Sequence, residues 1–329
     1  MRIAVDAMGG DNAPGAIIEG ALLALERHAD MEITLLGRMD DMKAVLGDRN
    51  PDRVTLVDCP SVIETGEDPL RAIRAKKDSS MVQGQMLLKN KEVDAFITAG
   101  STGAAMSGAL FNVGRIKGIH RPALAPLLPT LGPNRALLID CGANAECKPE
   151  YLVEFAAMGA AYMEAVEGVK NPCVGLINIG VEEEKGSELY RTVHQMLKKT
   201  NLNFVGNIEP REVLTGDAEV LVCDGFAGNM VLKSMEGTVN YLMTNLKKAL
   251  MSTFKAKMGA LLVKDAMKDV KKKLDYTAIG GSPLLGVEGV VIKAHGNSTA
   301  KSFANAIEQV VICVEKDVPG RIKKILIGE

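Results

Sequence analysis

Six polar turns are the part of this sequence best suited to chemistry, because each follows a short apolar run and carries glycine beside Asn, Asp, Ser, Lys or His. They begin after Asp6, Thr98, Asp140, Ile177, Asp224 and Lys293, and read Ala-Met-Gly-Gly-Asp-Asn, Ala-Gly-Ser-Thr-Gly-Ala, Cys-Gly-Ala-Asn-Ala-Glu, Asn-Ile-Gly-Val-Glu-Glu-Glu-Lys-Gly, Gly-Phe-Ala-Gly-Asn and Ala-His-Gly-Asn-Ser. Glycine permits tight turns and close backbone approach, and unpaired N–H groups at helix starts bind anions. Ordinary turn formation explains any one of them. All six together predict an anion-binding cleft.

Several common catalytic signatures are missing from the sequence. It contains no Gly-x-x-x-x-Gly-Lys-Ser/Thr phosphate loop, no Gly-x-Ser-x-Gly elbow and no His-Glu-x-x-His helix, and the segment starting at Gly100 does not fit Gly-x-Gly-x-x-Gly. These absences count against a P-loop nucleotide-binding protein, a dinucleotide-binding enzyme, an α/β-hydrolase and a zinc hydrolase. Among four histidines, His295 follows an apolar run and is the best catalytic candidate. Its alternative role is a hydrogen-bonded turn residue.

The polar turns are held by alternating strand and helix patterns. The predicted strands are Arg2–Asp6, Glu32–Leu36, Arg53–Val57, Asp94–Thr98, Ala136–Asp140, Cys173–Ile179, Asn203–Val205, Glu219–Cys223 and Val290–Ala294, and helical patterns such as Pro14–Arg27, Ser79–Asn90 and Pro149–Glu167 lie between them. Unbroken apolar runs are typical of strands that are covered on both faces. The alternation predicts a three-layer α/β fold with a mostly parallel sheet, in which ligands bind at the carboxyl ends of strands. No repeat or linker divides the chain, so we predict one domain over residues 1–329.

Composition narrows the class of protein. The formal net charge is −2, tryptophan is absent and aromatic residues are 4 % of the chain, which argues against a nucleic-acid-binding surface. Six cysteines are scattered without the short spacing of a zinc site, and no apolar stretch approaches the roughly 20 residues that span a bilayer. The chain starts directly on a strand-like run. We therefore expect a cytoplasmic protein with reduced thiols and no metal.

The amino-acid sequences of the polar turns resemble those of one enzyme family. The segments that carry the resemblance are Arg2-Ile-Ala-Val-Asp-Ala-Met-Gly-Gly-Asp-Asn-Ala-Pro, Ala99-Gly-Ser-Thr-Gly-Ala, Val113-Gly-Arg-Ile-Lys-Gly-Ile-His-Arg-Pro-Ala-Leu-Ala-Pro, Asp140-Cys-Gly-Ala-Asn, Asp224-Gly-Phe-Ala-Gly-Asn and Ile292-Lys-Ala-His-Gly-Asn-Ser. They are similar to the bacterial acyl-carrier-protein:phosphate acyltransferase family, PlsX. The resemblance runs from residue 1 to beyond residue 300.

The resemblance implies a reaction and its partners. Members transfer a fatty acyl group from the thioester of acyl-carrier protein to inorganic phosphate, at the start of phospholipid synthesis. The acyl phosphate then passes to a membrane glycerol-3-phosphate acyltransferase. The family also implies a homodimer and a fold like that of isocitrate dehydrogenase and phosphotransacetylase. We expect no cofactor. Because phosphate is already an anionic nucleophile and a thiolate, with a thiol pKa of about 8.5, leaves readily, the enzyme does not strictly need a Ser or Cys nucleophile of its own.

Roles for individual residues follow from their chemistry in a direct attack of phosphate on the thioester. Backbone and hydroxyl donors of Gly100, Ser101, Thr102 and Gly103 are expected to hold phosphate, and Lys185, Lys293 and Arg115 to neutralise it. Asn229 and Asn144 are candidates for stabilising the oxyanion, and His295 for protonating the thiol or orienting phosphate. The catalytic group is thus Lys185, Asn229, Lys293 and His295.

Three acidic residues of the same turns and one of the lysines have open roles. Asp6, Asp11 and Asp224 are expected to fix turn geometry or to accept hydrogen bonds from the cations, with simple capping of the turn as the alternative. Lys185 follows the acidic run Glu182-Glu183-Glu184, so it is either a phosphate ligand or a solvated charge.

Residues 238–275 differ from the rest of the chain. Leu242, Leu246, Leu250 and Phe254 recur every four residues, and residues 247–275 hold nine lysines and three aspartates. This pattern predicts a protruding, basic, amphipathic helical hairpin, broken near Met258. Packing in the core or against a second subunit is one explanation. The other is peripheral contact with an anionic membrane or with the acidic carrier protein. The predicted contact residues are Lys257, Met258, Leu261, Leu262, Val263 and Lys264.

Three rival functions remain open at this point. A short-chain phosphotransacetylase that uses coenzyme A would have a similar phosphate site. A decarboxylating dehydrogenase of the related fold would need a nicotinamide cofactor and usually a divalent metal. A membrane-docking scaffold of lipid synthesis would rely on the hairpin alone, and the polar turns make it the least suitable of the three.

Overall fold

The computed structural model describes residues 1–274 and 280–327, which form two sheets with helices on both faces. The strands are β1 (Arg2–Asp6), β2 (Glu32–Gly37), β3 (Val54–Asp58), β4 (Ala95–Thr98), β5 (Ala123–Leu124), β6 (Leu127–Leu128), β7 (Ala136–Ile139), β8 (Val174–Ile177), β9 (Phe204–Ile208), β10 (Val220–Val222), β11 (Gly281–Leu285) and β12 (Val290–Ala294). All nine predicted strands are present: β1 and β12 have the predicted ends, and the other seven are shifted by one to three residues at one or both ends.

The helices connect these strands in chain order. They are α1 (Gly15–Arg27), α2 (Met39–Leu46), α3 (Pro69–Ala75), α4 (Ser80–Lys89), α5 (Thr102–Gly108), α6 (Pro149–Tyr162), α7 (Glu188–Leu197), α8 (Gly225–Leu250), α9 (Phe254–Leu262), α10 (Lys264–Leu274), α11 (Ala300–Glu315) and α12 (Val318–Ile327). A π-helical turn extends α5 over Ala109–Val113 and another extends α6 over Met163–Glu167. No helix in residues 1–274 or 280–327 has the length and apolar character needed to cross a membrane.

The two sheets meet at the segment that contains β5 and β6. The first sheet has the order β3-β2-β1-β4-β12-β11-β5 and the second β6-β7-β10-β8-β9. Pairing is parallel except at β11 with β12, β11 with β5, and β6 with β7. The predicted mostly parallel architecture is therefore confirmed, although β5, β6 and β11 were not predicted. Two of these strands are only two residues long, and β11 contains glycine and proline, which are poor strand formers.

Three apolar clusters pack helices against both faces of the sheets, which gives the three-layer arrangement of helices, sheet and helices. One cluster runs under both sheets and includes Ile17 of α1, Phe155 of α6 and Phe303 of α11. On the other face, a second cluster packs α3, α4 and α5 on the first sheet, and a third seats the start of α8 on the second sheet. The shared cluster ties the two sheets together, so their strand ends hold fixed positions relative to each other.

The register of the first sheet aligns three polar residues. Lys293 of β12 pairs with Thr98 of β4, and Val5 of β1 pairs with Ile97. Asp6, Thr98 and Lys293 therefore lie side by side at the carboxyl ends of three adjacent strands. This is the edge at which parallel sheets bind ligands.

The region of the predicted hairpin contains three helices instead of two. α8 ends at Leu250, and α9 begins after Thr253, whose side chain accepts a hydrogen bond from the amide of Ala256 at 3.1 Å. The chain turns again at Val263 before α10. The helix breaks therefore lie on either side of Met258 and not at it. Met258 is inside α9, because the Thr253 cap starts this helix five residues earlier. The last residue of the predicted hairpin, Asp275, lies outside the described residues.

Candidate active site

A cavity of about 460 Å³ lies where the carboxyl ends of five strands converge. β1, β4 and β12 contribute from the first sheet, and β7 and β10 from the second. The wall consists of residues 10–11, 65, 99–102, 124, 126–127, 141–142, 229, 232–233, 236, 280–282 and 293–296. Its size is that of a small-molecule site. The predicted convergence of the polar turns holds for five of the six, the exception being the turn after β8.

Lys293 lies on the floor of the cavity, and the buried Asp6 lies beneath it. The Lys293 Nζ donates to the carbonyl oxygen of Ala99 at 3.3 Å and also to that of Ala294. The Asp6 carboxylate accepts hydrogen bonds from Ser80 Oγ at 2.6 Å and Thr98 Oγ1 at 2.7 Å. Burial raises the pKa of Asp6 and lowers the pKa of Lys293 to about 8, although the attraction of Asp6 opposes the latter shift. Lys293 is therefore a cation that can lose its proton near neutral pH.

The glycine turn after β4 is fixed from below. Thr98 Oγ1 accepts a hydrogen bond from the amide of Gly100 at 2.9 Å while it donates to Asp6. Ser101 caps α5, since its Oγ accepts from the amide of Ala104 at 3.4 Å. The first amides of a helix have no acceptor within that helix. Those of Thr102 and the next residue can therefore donate to an anion, whereas the Gly100 amide is already used.

The turns after β1 and β12 touch directly. The amide of Asp11 donates to the carbonyl oxygen of Gly296 at 2.7 Å. A Cβ on Gly9 would lie 2.6 Å from the amide nitrogen of Gly100, and Gly10 has a φ of +100°. Only glycine fits both positions. The Gly-Gly pair after Asp6 thus serves to bring three turns into contact.

Helix α8 crosses the cavity from one sheet to the other. Asn229 faces Gly142 at the end of β7, where a Cβ on that glycine would lie 3.7 Å from Asn229 Cβ. Two turns further along α8, Glu236 Oε1 lies 3.8 Å from His295 Nε2 at the end of β12. Lys233 stands between them, and its Nζ lies 2.8 Å from Glu236 Oε2. Seven residues of helix span about 10 Å, so this face of α8 bridges the gap between the sheets.

Seven of the predicted site residues lie on the cavity wall. They are Asp11, Gly100, Ser101, Thr102, Asn229, Lys293 and His295. The structure thus brings together three of the four residues predicted to be catalytic. Their individual roles stay predictions.

Lys185 lies outside the cavity wall. It is exposed on the turn after β8, and its side chain packs over Gly180, where an added Cβ would lie 3.1 Å from Lys185 Cγ. Its carbonyl oxygen accepts a hydrogen bond from Asn178 Nδ2 at 3.1 Å, which fixes the turn. Its part in phosphate binding stays a prediction.

Two other predicted ligands make contacts within the protein. Arg115 Nη1 donates to the carbonyl oxygen of His120 at 2.6 Å, and Arg115 pairs with Val287 at the end of the sheet away from the cavity. Asn144 Nδ2 donates to the carbonyl oxygen of Pro122 at 2.8 Å and to Asp140 at 3.0 Å. Neither side chain lines the cavity wall, and both hold loops.

The remaining predicted residues support the site from outside. Asp6 lies beneath the floor. Asp224 caps α8, because its side chain accepts from the Ala227 amide at 2.8 Å and from the Tyr190 hydroxyl at 2.6 Å. Gly103 packs against Pro69, and a Cβ there would lie 2.7 Å from Pro69 Cγ. The Asp224 contacts hold its turn, and the roles predicted for Asp6 and Asp224 stay predictions.

Lys233 and Glu236 are wall residues that were not predicted from the sequence. Together with Asn229 they recur at positions i, i+4 and i+7, the spacing of one helix face. This helix face begins directly after the polar turn that follows Asp224. The spacing is the feature of the sequence from which Lys233 and Glu236 could have been predicted as site residues.

The cysteines near the cavity are poor nucleophiles. Burial, together with the nearby Asp140 carboxylate, raises the pKa of Cys141 and of Cys147 to about 12. Both thiols therefore hold their protons at neutral pH, and the thiolate is the reactive form. In the part of the chain that the structure describes, no group of three His, Cys, Asp or Glu side chains is placed to hold a metal ion.

The proposed contact residues of the basic region are all exposed. Lys257, Met258, Leu261, Leu262, Val263 and Lys264 lie in or just after α9. No residue of α9 is buried, and Leu261 and Leu262 are 65 % and 88 % exposed. Large apolar side chains in such a position usually mark an interaction surface.

The family model and the relatives of this chain match it over all or nearly all of its length. A family model described as "fatty acid synthesis protein" matches residues 1–321. A phosphate acyltransferase of Clostridium tetani is 48 % identical over 331 residues, covering 100 % of this chain and 98 % of the relative. One from Lysinibacillus sphaericus is 50 % identical over 318 residues, covering 97 % and 96 %.

Solved structures share the fold at low sequence identity. A phosphotransacetylase from Streptococcus pyogenes aligns with a TM-score of 0.61 at 16 % identity, over 97 % of this chain and 94 % of that one. A branched-chain phosphotransacylase from Enterococcus faecalis aligns with a TM-score of 0.59 at 13 % identity, over 95 % and 99 %.

Proposed function

The chain belongs to the phosphate acyltransferase (PlsX) family, and from that premise we propose that it transfers a long-chain acyl group from acyl-carrier protein to inorganic phosphate. The acyl phosphate would feed phospholipid synthesis. The observation that carries the proposal is the cavity at the strand ends, which combines Lys293 and Lys233 with the start of α5. Cations and helix-start amides are the groups that bind phosphate.

The residues fit a direct attack. A phosphate oxygen forms a bond to the thioester carbonyl carbon, the carbon–sulfur bond breaks, and the sulfur leaves with the electron pair. The proton lost by phosphate ends on the thiol. Lys293, Lys233 and the amides near Thr102 hold phosphate, Asn229 donates to the carbonyl oxygen as it becomes negative, and His295 carries the proton. The high pKa of the Cys141 thiol is consistent with a mechanism that needs no enzyme nucleophile.

The reaction has a direct test. Purified protein, palmitoyl-acyl-carrier protein and phosphate should yield palmitoyl phosphate, which hydroxylamine traps as the hydroxamate, without nucleotide or metal. Asn229→Ala should lower kcat by about 100-fold, as expected for loss of an oxyanion donor. Leu131→Ala, on an exposed loop, is the control. Acyl-enzyme on a cysteine, found by mass spectrometry of the quenched reaction, would overturn the direct attack.

The acyl donor has one competing identity. The fold is shared with phosphotransacetylases, and a short acyl-coenzyme A could supply the same thioester. Initial rates with palmitoyl-acyl-carrier protein, palmitoyl-coenzyme A and acetyl-coenzyme A separate the two. We expect the highest kcat/KM with the carrier-protein donor, and a preference for acetyl-coenzyme A would identify a phosphotransacetylase.

We further propose that α9 binds the membrane surface, so that a cytoplasmic enzyme delivers its product to the membrane glycerol-3-phosphate acyltransferase. Support comes from the exposed apolar residues Leu261 and Leu262 beside Lys257 and Lys264. Such a mixture binds anionic lipid. The double variant Leu261→Glu, Leu262→Glu should lose co-sedimentation with phosphatidylglycerol vesicles and keep its circular dichroism. Leu131→Glu is the matched control, and equal binding by both variants would contradict the proposal.

We also propose that the homodimer implied by the family forms through α8. Tyr241 and Leu242 are 69 % and 59 % exposed on this helix, and Leu246 follows one turn later. An apolar stripe of this kind suits a second copy of the same helix. Sedimentation equilibrium should give a dimer for the wild type and a monomer for Leu242→Glu. A dimeric Leu242→Glu would move the interface elsewhere.

A further inference from the structure

A carboxylate in a phosphate cavity needs an explanation. Glu236 lines the cavity, and its side chain is only 14 % exposed. A bare carboxylate there would repel the substrate. Burial raises the pKa of Glu236, but the contacts with His295 and Lys233 outweigh burial and leave the pKa below its ordinary value. Glu236 is therefore ionised at neutral pH.

The contacts of Glu236 join two elements across the cavity. One oxygen lies 2.8 Å from Lys233 Nζ, on the same face of α8. The other lies 3.8 Å from His295 Nε2, on the turn after β12. This second distance exceeds that of a hydrogen bond, and the contact is an ion pair when His295 is protonated. One carboxylate thus faces two of the cationic or proton-carrying groups of the site, which belong to different parts of the chain.

Lys233 gains most from this contact. Its side chain is 53 % exposed, and a free lysine side chain samples many rotamers. The ion pair with Glu236 restricts Nζ to the side of the helix that faces the cavity. Glu236 also lies beside His295, with Oε1 at 3.8 Å from its Nε2.

We propose that Glu236 is a positioning residue for acyl transfer, which holds Lys233 for phosphate binding and orients the His295 ring for proton transfer. The inference rests on the proposed function, since it assigns these tasks within that reaction. Glu236 touches no reacting atom in this scheme. It acts through its two partners.

The test is Glu236→Gln, which keeps the side-chain size and removes the charge. We expect the KM for phosphate to rise about fivefold, the equivalent of an ion pair of about 1 kcal/mol. The KM for the acyl thioester should stay unchanged, and kcat should fall because His295 loses its orientation. If Glu236 only repelled phosphate, the variant would lower the phosphate KM, which would overturn the proposal. Unchanged KM and kcat would also overturn it.

A double-mutant cycle separates positioning from general destabilisation. Lys233→Met alone should raise the phosphate KM, and adding Glu236→Gln should raise it little further, because the carboxylate acts through that lysine. Additive effects would reject the link. Glu236→Asp should restore part of the lost affinity. Glu288→Gln, which breaks the Glu288–Lys323 ion pair on the surface, is the matched control and should leave all constants unchanged.

Binding measured without turnover distinguishes this inference from the proposed function. Inorganic phosphate alone should raise the melting temperature of the wild type more than that of Glu236→Gln. Equal shifts would reject the role of Glu236 in phosphate binding even if the wild type made acyl phosphate. A wild type that bound phosphate but made no acyl phosphate would reject the proposed reaction and leave the positioning of Lys233 supported.

Discussion

Raising the pH through 8 should weaken phosphate binding, because Lys293 loses its charge there. Burial is the main reason that the pKa of this lysine lies at about 8 and not at its ordinary 10.5; Lys233 adds to the lowering, and Asp6 and Asp11 oppose it. The protonated fraction is then about 90 % at pH 7 and about 10 % at pH 9. Since the protonated form binds the anion, the KM for phosphate, expressed as the concentration of its dianion so that the titration of phosphate itself is removed, should rise about tenfold over that interval.

The neighbours of Lys293 supply a directional check. Lys233→Met removes a repelling cation and should move the break in the KM profile to higher pH. Asp11→Asn removes an attracting carboxylate and should move it to lower pH. The profile is measured as initial rates of hydroxamate-trapped acyl phosphate at varied phosphate between pH 6.5 and about 9.5, corrected for uncatalysed thioester hydrolysis.

Two results would refute this reasoning. A phosphate KM without a break between pH 7 and about 9.5 would mean that Lys293 is not the titrating cation. Shifts of the same sign in Lys233→Met and Asp11→Asn would mean that charge at these two positions does not control it. The opposite signs make the test independent of any general loss of activity in the variants.

Gly228→Ala should destabilise the protein by about 1–3 kcal/mol in urea unfolding, because the new Cβ would lie 2.0 Å from the carbonyl oxygen of Asp140. The control is Gly237→Ala on the same helix, where a Cβ would have nothing within 4 Å and the change should be neutral or stabilising. Equal losses of stability in the two variants would contradict this. Arg53→Met should cost about 1–3 kcal/mol, since the guanidinium donates to the carbonyl oxygens of Leu25, His28, Ala29 and Met31, and an unchanged urea midpoint would show that water replaces it. Iodoacetamide at neutral pH should leave turnover intact, because the pKa values of Cys141 and Cys147 are near 12, and rapid inactivation with label on Cys141 would reject that.

The order of the strands in the sheets could not be predicted from the sequence, although the strands themselves could. Unbroken apolar runs located nine strands because burial on both faces excludes polar residues. β11 was not predicted, because Gly281 and Pro283 weaken its strand pattern. Its place between β12 and β5 is set by tertiary pairing. The position of Arg115 followed from this topology. Its segment precedes β5 and lies at the end of the sheet away from the cavity, which no local pattern reveals.

The candidate site was predictable to the extent that it depends on strand ends. Asp11, Gly100, Lys293 and His295 were found because a turn after a parallel strand must emerge at the ligand-binding edge. Lys233 and Glu236 were missed because helix periodicity shows which residues share a face and not which face meets a cavity. α8 is polar on several sides. Only its seat against Asp140 and Gly142 determines which side faces inward.

The interior position of β12 in the first sheet governs how the molecule can be made. β4 lies between β1 and β12, and the amide of Asp11 bonds to the carbonyl oxygen of Gly296. A ribosome adds about 5–20 residues per second, so about 10–40 s separate the synthesis of β4 from that of β12. Throughout that time the edge of β4 has no partner strand, and unpaired edges invite aggregation. The nascent chain therefore needs protection until its final tenth emerges, and no N-terminal fragment that stops before β12 can hold a complete site.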